Sequence, residues 1–205
     1  MKLLTAILLF FLPFFRLDAV SSPIAPLVVI DAGHGGSDEG AKVQTVMEKR
    51  ITLTTALLTK KHLEKMGYRV ILTRSRDIFV SLPKRAAIAN KSKAAAFVSI
   101  HFNSSPNRTA KGIEIYFYDA KDHDRARASK KLASTVLYEI VDQTAAASRG
   151  TRKGNFHVVR ETSMPAVLVE GGFMTNYEER FLLKDRKYLD KMAKGIALGV
   201  QKFLN

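Results

Sequence analysis

Two histidines follow apolar stretches that have the composition of buried strands. His34 comes shortly after the run at residues 27–30 and lies between two glycines, and His101 directly follows the run at residues 94–100. Ligands collect at the carboxyl ends of strands in open α/β sheets, and flanking glycines let the backbone bend closely around a ligand. The two imidazoles therefore indicate a metal site. For His34 taken alone, a loop histidine without a ligand is the alternative.

Two glutamates complete the candidate set. Glu48 opens a long helical pattern, where the helix dipole favours a carboxylate in any case, so plain capping is its alternative role. Glu170 ends a third apolar stretch and precedes two glycines, and a helix-capping or ion-paired glutamate is the alternative there. If His34, Glu48 and His101 converge, two imidazoles and one carboxylate leave a fourth position open, as in catalytic zinc sites.

A zinc site of this kind predicts hydrolysis. Zinc makes hydroxide available from water near neutral pH and polarises a neighbouring carbonyl. A second carboxylate must then take the proton of the water and return it to the leaving nitrogen, and Glu170 is the best placed. Its position after an apolar strand raises its proton affinity by desolvation, whereas a nearby Zn²⁺ lowers it.

The chain alternates between strand and helix patterns. Short β-branched stretches predict strands at residues 27–30, 69–73, 94–100, 112–118, 156–160 and 166–169. Helical spacing predicts helices from Glu48 to just before Gly67 and at residues 82–91, 122–141, 177–183 and 188–204. Apolar strands covered by amphipathic helices form α/β layers, so we expect one twisted, largely parallel sheet.

Composition narrows the functional class. A chain of 205 residues suits one domain, and the absence of cysteine excludes thiolate nucleophiles and thiolate metal ligands. The formal net charge of +14 predicts a polyanionic partner. No basic motif interleaved with aromatic residues is present, so we expect an anionic wall polymer or membrane surface and not a nucleic acid.

The amino terminus has the pattern of a secretory signal. Lys2 precedes an apolar block at residues 3–15, and small residues follow at positions 19, 21 and 22. The block is too short for a membrane span of ~20 residues. We therefore expect a signal segment at residues 1–22 and a catalytic domain at residues 27–205, with an uncleaved N-terminal anchor as the alternative.

Five motifs occur along the chain in a specific order. They are Asp-Ala-Gly-His-Gly-Gly-x-Asp-x-Gly-Ala at 31–41, Glu-Lys at 48–49, Leu-Thr-Arg at 72–74, Ser-Ile-His-Phe-Asn at 99–103 and Met-Pro-Ala-Val-Leu-Val-Glu-Gly-Gly-Phe-Met-Thr-Asn at 164–176. Together they resemble the zinc-dependent N-acetylmuramoyl-L-alanine amidases of the amidase-3 type. The resemblance covers essentially all of the chain after the signal segment.

The resemblance implies a fold, a reaction and a set of roles. The fold would be a six-stranded mixed sheet flanked by helices. The reaction would be hydrolysis, in peptidoglycan, of the amide between the lactyl group of N-acetylmuramic acid and the L-alanine of the stem peptide. His34, Glu48 and His101 would bind Zn²⁺, and Glu170 would be the catalytic carboxylate. We further expect an exported monomer, periplasmic or else secreted, whose activator protein is not specified by the sequence.

Two departures from the family pattern lead to further expectations. Gly172 stands where the family more often has a larger apolar residue, which predicts looser geometry just after Glu170. Regulated relatives carry a long insertion with a helix that plugs the zinc site, and residues 119–149 are too few for it. We therefore predict an enzyme that is not self-inhibited. The sequence also has no added wall-binding module, so the basic surface would supply targeting.

Other functions are considered beside hydrolysis by zinc. Ser81 and Lys84 fit the Ser-x-x-Lys pattern of penicillin-binding enzymes, and Ser105 and Asn107 fit Ser-x-Asn. The third element, Lys-Thr-Gly, is missing, so this pattern is at most the basis of an additional penicillin-sensitive D,D-carboxypeptidase activity. A non-catalytic cell-wall binding protein would lack Glu170 or a metal ligand, and none is missing.

Overall fold

The computed structural model describes residues 25–119 and 121–205, so the predicted signal segment at residues 1–22 lies outside the described residues. The strands are β1 (Leu27–Ala32), β2 (Lys42–Val43), β3 (Val46–Met47), β4 (Arg69–Leu72), β5 (Ala96–Asn103), β6 (Ile113–Phe117), β7 (Ser148–Lys153) and β8 (Ala166–Phe173). The helices are α1 (Glu48–Lys65), α2 (Leu82–Ser92), α3 (His123–Thr144), α4 (His157–Arg160), α5 (Tyr177–Leu182) and α6 (Arg186–Leu204).

Six of the strands form one mixed sheet in the order β4-β1-β5-β8-β6-β7. The first four strands of this order run parallel to one another, β6 is antiparallel to β8, and β7 is parallel to β6. Strands β2 and β3 pair separately as a short antiparallel hairpin that leads into α1. The expected α/β fold with a six-stranded, mostly parallel sheet flanked by helices is confirmed.

One predicted strand is wrong. Residues 156–160 form no strand, because the chain turns there into the short helix α4, whose Val158 and Val159 pack into the core beside α2. The sixth strand is instead β7, with the sequence Ser-Arg-Gly-Thr-Arg-Lys. A hydrophobicity pattern does not detect this strand, because most of its side chains are polar. Cationic side chains are typical of an edge strand, since they oppose pairing with another chain.

The two faces of the sheet are covered unequally. Side chains such as Ile30 and Ile100 pack under the long helices α1, α3 and α6 in the larger core cluster. Their neighbours on the same strands, such as Val29 and Phe97, pack under α2 and α4 in a smaller cluster. Because side chains alternate along a strand, His101 and Glu170 belong to this second, more thinly covered face. Within the described residues, no helix has the length and apolar character needed to cross a membrane.

Candidate metal centre and the carboxylate beside it

His34 lies in the tight loop after β1. Its backbone adopts a left-handed conformation, with φ of 59°, and its Nδ1 is 2.9 Å from both carboxylate oxygens of Asp38. That contact turns the opposite ring nitrogen, Nε2, towards Glu48. The loop passes so close to β5 that a Cβ on Gly33 would lie 2.3 Å from the His101 ring. The glycine before His34 is therefore required by the close approach of the two histidines.

Glu48 is the first residue of α1 and is 4% exposed. Its Oε1 lies 3.1 Å from His34 Nε2 and 3.0 Å from His101 Nδ1, and it also accepts a hydrogen bond from the backbone N–H of Phe102. Burial alone would raise the pKa of Glu48, but the hydrogen bonds from the two histidines outweigh it and hold the pKa well below its usual range. The carboxylate joins the two imidazoles and does not cap its helix.

The structure brings the three predicted ligands together. His101 lies on β5, and its ring meets that of His34 edge to face, with centroids 4.8 Å apart. One ligand atom each from His34, Glu48 and His101 lies within 4.8 Å of the others, so these residues could hold a metal ion. Two nitrogens and one carboxylate oxygen are a donor set that suits zinc among several divalent metals.

Glu170 lies beside this group on β8. It occupies the register position opposite His101 on the neighbouring parallel strand. Its Oε2 is buried and has no hydrogen-bond partner among the described residues. Burial raises the pKa of Glu170 to about 7, with His101 opposing the rise and the carboxylates of Glu48 and Glu114 adding to it. A carboxylate with this pKa can accept and return a proton near neutral pH.

Sequence reasoning missed a buried ion pair under the His34 loop. The Asp31 carboxylate lies 2.7 Å from Arg85 Nη1 and accepts hydrogen bonds from Thr73 and Ser99. Arg85 also donates to the backbone carbonyl of His34. The charge at the end of a wholly apolar strand was the available signal for Asp31. Arg85 could be assigned only once the fold placed α2 against the loop.

Sequence reasoning also missed a second carboxylate near the site. Glu114 is 3% exposed and occupies the register position opposite Glu170 on β6. Its Oε1 accepts hydrogen bonds from Asn103 and from the Tyr116 hydroxyl, both at 2.9 Å. Its Oε2 lies 3.0 Å from Arg149 Nε. The available signal was a lone glutamate between two isoleucines in the strand predicted at residues 112–118.

The further expectations have mixed outcomes. Gly172 adopts φ of 117°, and the Glu179 carboxylate accepts a hydrogen bond of 2.6 Å from the next backbone N–H, that of Phe173. The segment after Glu170 is thus held by Glu179, and the expected looseness is not observed in its hydrogen bonding.

Residues 121–149 comprise the helix α3, which packs against α6, and the first residues of β7. Within them the chain builds no separate helix over the metal-binding residues.

Ser81 and Lys84 show no nucleophile and base arrangement. Ser81 precedes α2 and lines the cleft described below, whereas Lys84 is exposed one turn later. No hydrogen bond joins the two side chains in the described structure, although a nucleophile and its base need hydrogen-bond reach. The geometry gives no support to a serine acyl-transfer site here.

A cleft of about 260 Å³ opens beside the two histidines. Its wall is largely apolar and includes Phe79 and Leu82, which are 58% and 52% exposed. His157, at the start of α4, also lines it. A substrate could therefore lie against an apolar surface while one of its bonds sits next to His34 and His101.

The N-acetylmuramoyl-L-alanine amidase family (Amidase_3) matches residues 28–202. The sporulation-specific N-acetylmuramoyl-L-alanine amidase of Bacillus subtilis is 37% identical over 180 residues, which are 87% of this chain and 68% of that protein.

Solved structures give the same result. An N-acetylmuramoyl-L-alanine amidase from Clostridium difficile 630 superposes with a TM-score of 0.83 at 40% identity, covering 88% of this chain and 97% of that one. The CwlD amidase from Clostridioides difficile, solved in complex with the GerS lipoprotein, has a TM-score of 0.79 at 31% identity, covering 87% and 98%.

Proposed function

Because the chain belongs to the N-acetylmuramoyl-L-alanine amidase family of peptidoglycan hydrolases, we propose that it is a zinc-dependent enzyme with Glu170 as its proton-transfer group. The bond cleaved is the amide between N-acetylmuramic acid and the L-alanine of the stem peptide. The observation that carries the proposal is the convergence of His34, Glu48 and His101 beside Glu170 Oε2, which has no hydrogen-bond partner in the described part of the chain.

The residues present fit zinc by donor type and spacing. Ligand atoms of a tetrahedral zinc site lie about 2.0–2.2 Å from the ion and hence roughly 3.4 Å from one another. Two of the three separations, 3.0 and 3.1 Å from Glu48 Oε1 to the two imidazole nitrogens, are close to that spacing, and all three ligand atoms lie within 4.8 Å of one another. Asp38 holds His34 from behind, which is the usual carboxylate support of a zinc-bound histidine. We propose His34 Nε2, Glu48 Oε1 and His101 Nδ1 as the ligand atoms.

Zn²⁺ bound by these residues supplies a Lewis acid that acidifies water and polarises the scissile carbonyl. Glu170 Oε2 accepts the proton of the attacking water. As the C–N bond breaks, Glu170 returns that proton to the nitrogen of L-alanine, so the products are the lactyl carboxylic acid and a free stem peptide. Glu170 thus ends the cycle ionised, as it began it.

We further propose that the enzyme is exported, works in the periplasm and acts as a monomer, with secretion beyond the periplasm as the alternative. The family acts on cell-wall material, which lies outside the cytoplasm. The signal segment proposed for residues 1–22 would direct export. We propose that the basic surface, with a formal net charge of +14 for the whole chain, holds the enzyme near anionic wall polymers or the membrane surface.

Digestion of purified peptidoglycan tests the proposed function. The purified chain, with no added protein, should release stem peptides that begin at L-alanine, as identified by mass analysis. A chelator should stop the release and added Zn²⁺ should restore it. Release of disaccharide fragments without free stem peptides, or release that is indifferent to the chelator, would contradict the proposal. Inactivity that ends when an activator protein is added would contradict the absence of self-inhibition.

Assays on the same purified peptidoglycan distinguish the alternative functions. A non-catalytic wall-binding protein would sediment with peptidoglycan and release nothing. A D,D-carboxypeptidase would release the terminal D-alanine and bind a fluorescent penicillin, and the binding would disappear in Ser81→Ala. We expect neither result, because Ser81 and Lys84 are not within hydrogen-bond contact of each other.

A further inference from the structure

A row of polar side chains crosses the sheet from the metal centre towards the edge strand β7. His101 on β5 is paired in register with Glu170 on β8, and Glu170 is paired with Glu114 on β6. Arg152 on β7 is paired with Tyr116, which lies two residues after Glu114 on the same side of β6. Paired residues of neighbouring strands project from the same face, so the whole row lies on the thinly covered face of the sheet.

The two arginines at the end of the row differ in how firmly they are held. Arg149 donates from Nε to Glu114 Oε2 at 3.0 Å, and its guanidinium stacks over the Phe173 ring at 4.9 Å from the centroid. Arg152 approaches the same oxygen through Nε at 3.1 Å, but its side chain is 49% exposed. Its two terminal nitrogens make no hydrogen bond to the residues that the structure describes. Arg152 therefore presents an unoccupied pair of donors to the solvent in front of the row.

The hydrogen bonding around Glu114 leaves Arg152 open to an anionic ligand. Glu114 Oε2 faces both guanidiniums, and its other oxygen is already taken by Asn103 and Tyr116. Both oxygens of Glu114 are engaged, so the terminal nitrogens of Arg152 stay open to another acceptor. A guanidinium forms paired, charge-assisted hydrogen bonds with a carboxylate, which makes arginine suited to recognising one.

The distance from Arg152 to the scissile bond can be estimated from the spacing of the strands. Strands of a sheet lie about 4.8 Å apart, so β7 is roughly 10 Å from β8 and Glu170. An extended peptide spans about 3.3–3.6 Å per residue, so roughly 10 Å corresponds to two or three residues. The opposite side of the centre is the apolar cleft with Phe79 and Leu82. The part of the substrate that carries carboxylates therefore fits the β7 side.

We infer that Arg152 binds a carboxylate of the stem peptide two or three residues beyond the scissile nitrogen, and so selects anionic stem peptides over amidated ones. The inference rests on the proposed function, because it takes Glu170 as the position of the reacting bond. Arg149 and Glu114 would position Arg152, and Arg152 itself would contact the substrate.

The test uses two soluble muramoyl peptides that differ in one respect: the stem carboxylates of the first are carboxamides in the second. Wild-type kcat/KM should be about tenfold or more higher for the carboxylate substrate, since a hydrogen bond to a charged group is worth about that factor. Arg152→Gln should lose this preference through a higher KM, with kcat unchanged, and Arg152→Lys should recover part of it. The matched control is Arg127→Gln on α3, where the side chain is 77% exposed.

Each outcome decides the inference. Equal wild-type rates on the two substrates would overturn it without any variant, so a folding defect in Arg152→Gln cannot obscure the result. An equal loss on both substrates in Arg152→Gln, or a loss in kcat alone, would also overturn it. Cleavage of neither substrate by the wild-type enzyme would overturn the proposed function and the inference with it, whereas cleavage of both at equal rates would leave the proposed function standing.

Discussion

His101 and Glu170 face each other on neighbouring parallel strands, as one register pair of β5 and β8. The pairing sets the candidate metal ligand and the candidate proton-transfer group side by side through backbone hydrogen bonds alone. The two roles are then separated by environment, since His101 contacts the Glu48 carboxylate, whereas the buried Oε2 of Glu170 has no hydrogen-bond partner within residues 25–119 and 121–205. A substitution that removes either metal binding or proton transfer should therefore leave the other one intact.

Glu170→Gln should strongly reduce turnover without unfolding the protein. The amide keeps the shape of the side chain but cannot accept a proton, and proton transfer by a positioned group contributes about 10²- to 10⁴-fold to a rate. We expect kcat for muramoyl-peptide cleavage to fall by about that factor, with an unchanged thermal unfolding temperature. If the variant keeps more than half of the wild-type kcat, Glu170 is not the proton-transfer group.

Asp38→Asn should weaken metal binding more than it weakens the fold. Asp38 is the residue behind His34, at 2.9 Å from Nδ1, and loss of such support typically costs about 10- to 100-fold in metal affinity. Competition with a chromogenic zinc chelator measures the change. Glu39→Gln is the matched control, because Glu39 is in the same loop and pairs with the exposed Lys42. Equal affinities of the two variants would refute a supporting role for Asp38.

Gly33→Ala should displace the His101 ring. The added Cβ would lie 2.3 Å from Cε1 and 2.5 Å from Nε2 of His101, and both are too short for any real contact. We expect weaker zinc binding and a large loss of activity, while Ser37→Ala in the same loop changes neither. The chelator competition and the muramoyl-peptide assay report the two effects. Normal zinc affinity in Gly33→Ala would mean that the loop and β5 are further apart than described.

Asp31→Asn should destabilise the protein in a pH-dependent manner. Burial alone would raise the pKa of Asp31, but Arg85 and the hydroxyls of Thr73 and Ser99 hold it below its ordinary value. The ionised carboxylate therefore contributes stability above the unfolded-state pKa of about 4, and this contribution is lost as the pH falls through the lower folded-state pKa.

The size of that contribution can be measured by denaturant unfolding. At neutral pH the variant leaves Arg85 buried without its counter-charge, which costs about 3–5 kcal/mol of unfolding free energy. The difference in unfolding free energy between the variant and the wild type should narrow as the pH is lowered below about 4. Asp124→Asn, at a side chain that is 91% exposed, is the control. If this difference in unfolding free energy stays constant down to the acid transition, the ionised carboxylate of Asp31 is not its cause.

Local patterns were sufficient to predict His34, His101 and Glu170 from the apolar runs that precede them, and the structure does bring these residues close to one another. The strand ends were not predicted, because β5 and β8 continue for two and three residues beyond His101 and Glu170. The buried pair Asp31–Arg85 and the carboxylate Glu114 were missed, because their roles depend on contacts between elements far apart in sequence. The polar edge strand β7 was missed because its side chains do not have to face a core.

We propose that His34, Glu48 and His101 share one zinc ion that Glu170 does not bind tightly. Elemental analysis of purified variants, with zinc affinity from chelator competition, distinguishes the three ligands from Glu170. We expect one zinc per chain in the wild type and in Glu170→Gln, and loss of zinc in each of His34→Ala, Glu48→Ala and His101→Ala. Full zinc content in any of those three alanine variants would exclude that residue as a ligand, and loss of zinc in Glu170→Gln would make Glu170 a ligand instead of the proton-transfer group.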